Sequence, residues 1–291
     1  MSRRWIPGRL RWPFAATTLA ATLAATTVMA GMIAMTTLAA PGAWAAGFAA
    51  AASPSRFELE AKPGDVLSRT LELQHIGPEG TEYVIRSADW GLTEEKGLEF
   101  FDALQAGSCR TWLRLERRAV RLEPRVRRKL RFEVHVPADA PVGECRLAIL
   151  VENYDQRAIP LIKDSPIQLP LTGRLGVIVY VAVGGAQPKI SLVTVAMGDE
   201  NGERVPMVTV RNDGNAHGRL EGALRGTDAD GKTAFFPVST LPVLPGQTRR
   251  LPLLPAENLT TKKKPVLRYP VTLSGRLDWD NGGFDIQAQM P

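Results

Sequence analysis

Side chains that could carry catalytic chemistry are few and scattered in this 291-residue sequence. The three histidines, His75, His135 and His217, are isolated, and no G-x-S-x-G, H-E-x-x-H or glycine-rich phosphate motif occurs. Two aspartate-rich stretches, 228–231 and 278–282, are similar to calcium loops, but neither has glutamate at the twelfth position. The sequence therefore predicts no enzyme, no metal site, no cofactor and no small-molecule substrate.

The two cysteines are the remaining reactive side chains. Cys109 and Cys145 are the only cysteines in the chain, and no C-x-x-C redox motif is present. In an exported protein, a lone pair of cysteines predicts one disulfide bond. The rival interpretation is two buried free thiols.

The N-terminus has the pattern of an export signal. Four arginines precede an Ala/Thr-rich apolar run at 12–40, Pro41-Gly42 ends the run, and Ala43-Trp44-Ala45 is a small-x-small cleavage site. We therefore expect residues 1–45 to be a signal peptide and the mature protein to be periplasmic. The apolar run is longer than a usual signal core, so an uncleaved membrane anchor is the alternative.

Export also changes the interpretation of charge. The whole chain has a net charge of +6, but residues 1–45 contain four arginines and no acid. Their removal leaves 32 basic and 30 acidic side chains, a net charge of +2, which gives no support to nucleic-acid binding. An arginine-rich stretch at 114–131 contains interleaved acids, which favours solvated strand faces over a site for an anionic partner.

A period of two between the cysteines indicates a half-buried strand. Residues of one parity are apolar, and residues of the other parity are charged. Arg128 is the charged residue on the apolar parity, and we expect it near the strand's start. The two sets are Val126, Leu130, Phe132, Val134 and Val136, and Arg127, Lys129, Arg131, Glu133 and His135.

Similar short strands recur every 10–15 residues without a sustained helical period. This spacing predicts an all-β protein with two immunoglobulin-like β-sandwich domains after the signal segment. We expect a flexible N-terminus at 46–55, a first domain at 56–183, a hinge at 184–189 around Gly184-Gly185, and a second domain at 190–291. Near the end of the chain, Asn281-Gly282 predicts a type I′ hairpin turn.

The stretch from Arg174 to Val183 is apolar on both parities. Such a strand is either central in a covered sheet or has a second face that meets a partner. Cover by the second domain and cover by a bound protein subunit remain alternative explanations.

Residues 53–183 resemble the N-terminal domain of PapD-like periplasmic pilus-assembly chaperones of the chaperone–usher pathway. The stretches that carry the resemblance are Ser55-Arg56-Phe57, Trp112-Leu113, Leu122-Glu123-Pro124, Lys129 to Val134, Pro137, and Gly143 to Leu147. Residues 190–291 match the second sandwich of that architecture. The chain departs from the family pattern at Arg125, where glycine is usual, in its cysteine pair, and in its Pro-rich loop at 155–172.

The resemblance implies a non-enzymatic function. It implies a chaperone that binds subunits of pili or other surface structures, with an outer-membrane usher as a further partner. Arg56 and Arg174 would hold the subunit's terminal carboxylate, and Leu175, Val177, Val179 and Val181 would be donated to it in a shared strand. The alternative is an exported structural or adhesive envelope protein with two immunoglobulin-like domains.

Overall fold

The structure is a computed structural model. It describes residues 48–93, 97–153, 158–160, 168–170, 173–257 and 262–291. The predicted signal peptide and most of the Pro-rich loop lie outside the described residues. Within these ranges, no helix has the length and apolar character needed to span a membrane.

The described chain is built from strands, apart from one 3₁₀ turn at Arg110–Trp112. The prediction of an all-β protein is confirmed. The strands of the first half are β1 Ala50–Ser53, β2 Arg56–Ala61, β3 Val66–His75, β4 Thr81–Thr93, β5 Gly97–Phe101, β6 Leu113–Leu115, β7 Ala119–Leu122, β8 Arg127–His135, β9 Gly143–Asn153, β10 Ala158–Pro160, β11 Gln168–Pro170 and β12 Arg174–Val183. Those of the second half are β13 Ile190–Glu200, β14 Glu203–Asn212, β15 Ala223–Thr227, β16 Thr233–Pro237, β17 Thr248–Pro252, β18 Val271–Trp279 and β19 Gly282–Met290.

The first sandwich packs a sheet of order β1-β3-β8-β6 against a sheet of order β2-β12-β9-β4-β5, in which β7 also pairs with β4. Alternate residues of β8 enter the shared core: Leu130, Phe132 and Val134 are buried. The ring of Phe132 meets Phe57 of the other sheet edge-on, with centroids 4.9 Å apart. The predicted alternation is therefore confirmed from Leu130 to Val134, and Arg128 is exposed at the start of the strand. Val126, which we expected on the buried parity, is 40% exposed, because it lies in the turn before β8 and donates its N–H to Glu123 O at 3.1 Å.

The chain changes sheets near its N-terminus. Strand β1 pairs antiparallel with β3, and after Ser53 the chain crosses to the other sheet, where β2 pairs parallel with β12. The composition predicted a flexible N-terminus here, because alanine has a low strand propensity. Pairing with β3 and the packing of Ala50 and Ala52 against the first core override that propensity, so residues 50–53 form a strand.

The second sandwich packs a sheet of order β13-β14-β17 against one of order β16-β15-β18-β19 around a separate core. The segment before β13 contains Gly184 and Gly185, with φ of 67° and 77°. These left-handed conformations favour glycine, because a Cβ would be strained there. Gly184 also donates its N–H to Ala61 O at 2.9 Å, which attaches the segment to the first sandwich.

The final hairpin differs from the prediction. Trp279 pairs directly with Gly282, so the two-residue loop is Asp280-Asn281 and not Asn281-Gly282. A type I′ turn needs positive φ at both central positions, and neither Asp280 nor Asn281 has one. Gly282 belongs to β19 instead, where a Cβ would come within 2.4 Å of the Trp279 ring. Glycine is therefore required here by a close approach and not by the turn type.

Candidate functional site

Strand β12 has one edge that is only half covered. It pairs with β9 along its whole length, from Arg174↔Glu152 to Val183↔Gly143. On the other side β2 pairs only with Ile178–Val183, because β2 begins at Arg56 opposite Ile178. Within the described ranges, no strand pairs with this side of residues 174–177, which we call the open edge.

The direction of the backbone groups on the open edge follows from the neighbouring ladder. Ile178 donates its N–H to Ser55 O at 3.3 Å, so its backbone groups point toward the β2 side. Backbone groups alternate along a strand, so those of Gly176 and Arg174 point the same way. Those of Leu175 and Val177 point toward β9. The open edge therefore presents the N–H and C=O of Gly176 and Arg174 to an incoming strand.

The four side chains that the sequence assigned to strand donation all face the first core. Val177, Val179 and Val181 are fully buried, and Leu175 packs against the core from a half-buried position. Only Leu175 and Val177 belong to the open edge, because β2 covers the strand beside Val179 and Val181. Their role in subunit binding stays a prediction.

The face of β12 that carries Ile178 and Tyr180 is covered by other parts of the same chain. Tyr180 and Ile178 pack in a cluster with Trp90 of β4 and Leu244 of the second sandwich. Gly176 lies beneath Phe100 of β5, where a Cβ would come within 2.2 Å of the ring. The second sandwich therefore supplies part of the cover. A glycine inside an apolar strand indicates such a close approach, and this signal was present in the sequence.

Arg174 lies in an ion-pair network at the start of β12. Its Nε is 2.5 Å from Glu152 Oε1, and Arg86 donates to both oxygens of the same carboxylate at 2.6 and 2.8 Å. Arg86 also donates to Asp102 at 2.7 Å. The hydrogen bond to Glu152 raises the pKa of Arg86, and the hydrogen bond from Arg86 lowers the pKa of Asp102. Arg174 thus already has a carboxylate partner.

Arg56 marks the other end of the open edge. It alternates with buried Phe57 and therefore faces the same side of the sheet as Arg174. Its register partner is Ile178, four residues beyond Arg174, which separates the two arginines by about 13 Å along the strand. Arg56 is half-exposed and donates to Glu58 at 2.7 Å. The structure therefore does not bring the two predicted carboxylate ligands together, but places one at each end of the open edge.

A polar cluster joins the two sandwiches beside β12. The side-chain Nδ1 of His217 contacts Glu144, and the backbone N–H of His217 donates to the same Glu144 oxygen at 2.9 Å. The His217 ring stacks on Tyr180 at 3.7 Å, and Arg219 donates to the Tyr180 hydroxyl at 3.1 Å. Burial raises the pKa of Tyr180 to about 12. Sequence reasoning missed this cluster, because its members come from separate strands and no spacing relates them.

The two cysteines are joined. Cys109 and Cys145 form a disulfide with a Cα–Cα distance of 6.0 Å, and the described residues contain no free cysteine. The bond ties the loop before the 3₁₀ turn to the start of β9, opposite Val181 of β12. The predicted disulfide is confirmed, and it supports the sheet that carries the open edge.

The sequence matches no protein-family model, and no curated protein matches it. Solved structures do resemble it. Chaperones are among them. The YadV chaperone and the Pseudomonas aeruginosa CupB2 chaperone are each 12% identical, cover 83% of this chain and 100% of their own, and give a TM-score of 0.44. The E. coli chaperone DraB is 13% identical over 84% of this chain and 97% of its own, with a TM-score of 0.41.

These matches repeat the PapD-like resemblance at low sequence identity.

Proposed function

We propose that this chain is a non-enzymatic, periplasmic chaperone-like protein that binds subunits of pili or other surface structures by β-strand addition at the open edge of β12. The half-covered edge is the observation that carries the proposal. Gly176 and Arg174 present backbone groups there, and an extended client segment would satisfy them as a new strand. The family resemblance in the sequence supplies the class of client.

The two arginines suggest a direction for the client strand. A strand parallel to β12 would end where β2 begins, so its terminal carboxylate would lie beside Arg56. A strand in the opposite direction would end beside Arg174, which Glu152 already occupies at 2.5 Å. Arg56 is the more available anchor, because its pair with Glu58 is half-exposed and weak. We therefore assign the carboxylate to Arg56 and the parallel direction to the client.

Charge reversal at Arg56 tests this assignment. Arg56→Glu should weaken client binding about 10- to 100-fold, because a charge-assisted hydrogen bond of about 1.5–3 kcal/mol is replaced by repulsion. The measurement is the affinity for a surface-structure subunit that co-purifies with the exported protein. An amidated C-terminal peptide of that subunit should bind wild-type protein as weakly as the free-acid peptide binds the variant.

Arg211→Glu is the matched control. Arg211 forms a similar half-exposed pair with Asp213 at 2.6 Å in the second sandwich. Equal client affinity of the Arg56→Glu and Arg211→Glu variants would contradict the assignment of the client's carboxylate to Arg56. Reversal of Arg174 is less informative, because a glutamate there would face Glu152 and disturb the sheet. Failure to recover any client would favour the structural or adhesive alternative.

A further inference from the structure

Glu58 lies between the proposed carboxylate anchor and the second sandwich. It follows Arg56 by two residues on β2, so both side chains project from the same face of the strand. Arg56 donates its Nε–H to Glu58 Oε1 at 2.7 Å. Two side chains of the second sandwich approach the same oxygen, with His217 Nε2 at 3.6 Å and Arg219 Nε at 3.7 Å. One carboxylate oxygen is therefore shared between the two sandwiches.

Arg219 lacks a hydrogen bond that Glu58 is placed to supply. Its Nη1 donates to Thr240 O at 2.7 Å and its Nη2 to the Tyr180 hydroxyl at 3.1 Å, which fixes the guanidinium group. Its Nε is buried and has no hydrogen-bond partner among the described residues. The 3.7 Å that separate it from Glu58 Oε1 exceed hydrogen-bond distance. A buried donor without an acceptor is costly, so a small shift of Glu58 toward Arg219 would gain free energy.

The Glu58 side chain has the exposure and the charge that such a shift needs. It is half-exposed, so the surrounding core does not fix its position. Burial would raise its pKa, but the hydrogen bond from Arg56 and the neighbouring positive charges lower it below the usual value, so the carboxylate stays ionised. The short contact with Arg56 keeps this carboxylate on the β2 side. We therefore expect loss of that contact to move it toward Arg219.

We propose that a client carboxylate bound at Arg56 transfers Glu58 to Arg219, so that client binding tightens the contact between the two sandwiches. This inference rests on the carboxylate anchor proposed above. The client's carboxylate competes with Glu58 for the Arg56 guanidinium group, and the released Glu58 accepts from Arg219 Nε. Because such coupling is reciprocal, Arg219 in turn favours the client's carboxylate at Arg56. The second sandwich thus contributes to client affinity through Glu58.

Removal of the Arg56 side chain tests the transfer without a client. In Arg56→Ala, the Nε–H proton signal of Arg219 should move downfield, and its exchange with water should slow about tenfold, because Glu58 becomes its acceptor. NMR of the full exported protein with isotope-labelled arginine measures both. Adding Glu58→Ala should reverse both changes. Arg211→Ala, which breaks the similar pair with Asp213, is the matched control and should leave the Arg219 signal unchanged.

A client peptide tests the coupling. The probes are the free-acid C-terminal peptide of the co-purifying subunit and its amidated twin. The free acid should move the Arg219 Nε–H signal of the wild-type protein in the same direction as Arg56→Ala does, and the amidated twin should not. Arg219→Gln should weaken binding of the free acid at least about fivefold and have no such effect in a Glu58→Ala background.

The outcomes separate this proposal from the anchor on which it rests. Equal affinity of the wild-type protein for the two peptides would contradict the anchor and, with it, the transfer. A preference for the free acid that requires Arg56, together with an Arg219 signal that neither Arg56→Ala nor the peptide changes, would overturn the transfer and leave the anchor in place. A loss of affinity in the Arg219 variant that persists without the Glu58 carboxylate would do the same.

Discussion

Replacing Asn212 with alanine is expected to lower the free energy of unfolding of the second sandwich by about 4 kcal/mol. The fully buried side chain of Asn212 serves four backbone groups. Its Oδ1 accepts from the N–H groups of Lys189 and Gly214 at 3.0 and 2.9 Å, and its Nδ2 donates to the carbonyls of Ala216 and Val243 at 2.8 Å each. Each of the four hydrogen bonds contributes about 1 kcal/mol, and only the carbonyl of Val243 keeps another donor among the described residues, the N–H of Gly218 at 3.1 Å.

Asn215→Ala is the matched control for this prediction. Asn215 is exposed and accepts one hydrogen bond, from Gln187 N–H at 2.9 Å, so its loss should cost only about 1 kcal/mol. Urea unfolding of both variants gives the comparison. Asn212→Asp should destabilise at least as much as Asn212→Ala, because its second carboxylate oxygen would face the carbonyl oxygens of Ala216 and Val243 in a buried site. Similar losses in the two alanine variants would show that the Asn212 network is not essential.

Replacing Cys145 with serine is expected to destabilise the first sandwich by about 4 kcal/mol. The disulfide closes a loop across a sequence separation of 36 residues, and its loss restores that loop's conformational entropy to the unfolded chain. The effect should appear in the first sandwich, because both cysteines pack in its core. Unfolding in denaturant, followed by the fluorescence of the buried Trp90, measures the change.

The double variant Cys109→Ser with Cys145→Ser is the control for the serine substitution. It should unfold at the same denaturant concentration as reduced wild-type protein if the covalent bond carries the effect. Thiol labelling of the unfolded, unreduced protein should find no reactive cysteine. Two labels per chain, or a Cys145→Ser variant as stable as wild type, would contradict the prediction.

Local sequence pattern was sufficient for the alternating strands and for the disulfide, but not for β1, whose pairing with β3 is a tertiary effect. The alternation around Leu130 and Phe132 predicts a strand with one buried face because side chains alternate at every residue. The cysteine pair needed only the export signal and the absence of other cysteines. The hairpin near Asn281 was located correctly, but its turn type was not, because the close packing of Gly282 against Trp279 is a tertiary effect.

The candidate site depends on contacts that no local pattern contains. The open edge exists because β2 begins opposite Ile178, and that register is set by where the chain crosses between the sheets. Glu144 and His217 are 73 residues apart and meet only because the second sandwich packs on β9 and β12. The four hydrogen bonds of Asn212 likewise join distant segments. No local pattern around Asn212 indicates this buried network.

Hydrogen exchange at Gly176 tests the central claim, strand addition at β12, most directly. In the free protein its amide points to the open edge and should exchange quickly, whereas Leu175 and Val177, which point to β9, should be protected. When a surface subunit is bound, exchange at Gly176 should slow by at least about tenfold, as a new backbone hydrogen bond requires. Gly176→Pro should abolish this binding, and Gly176→Ala, which makes the same contact with Phe100 but keeps the N–H, should retain more of it. A bound subunit that leaves exchange at Gly176 unchanged would contradict strand addition at this edge.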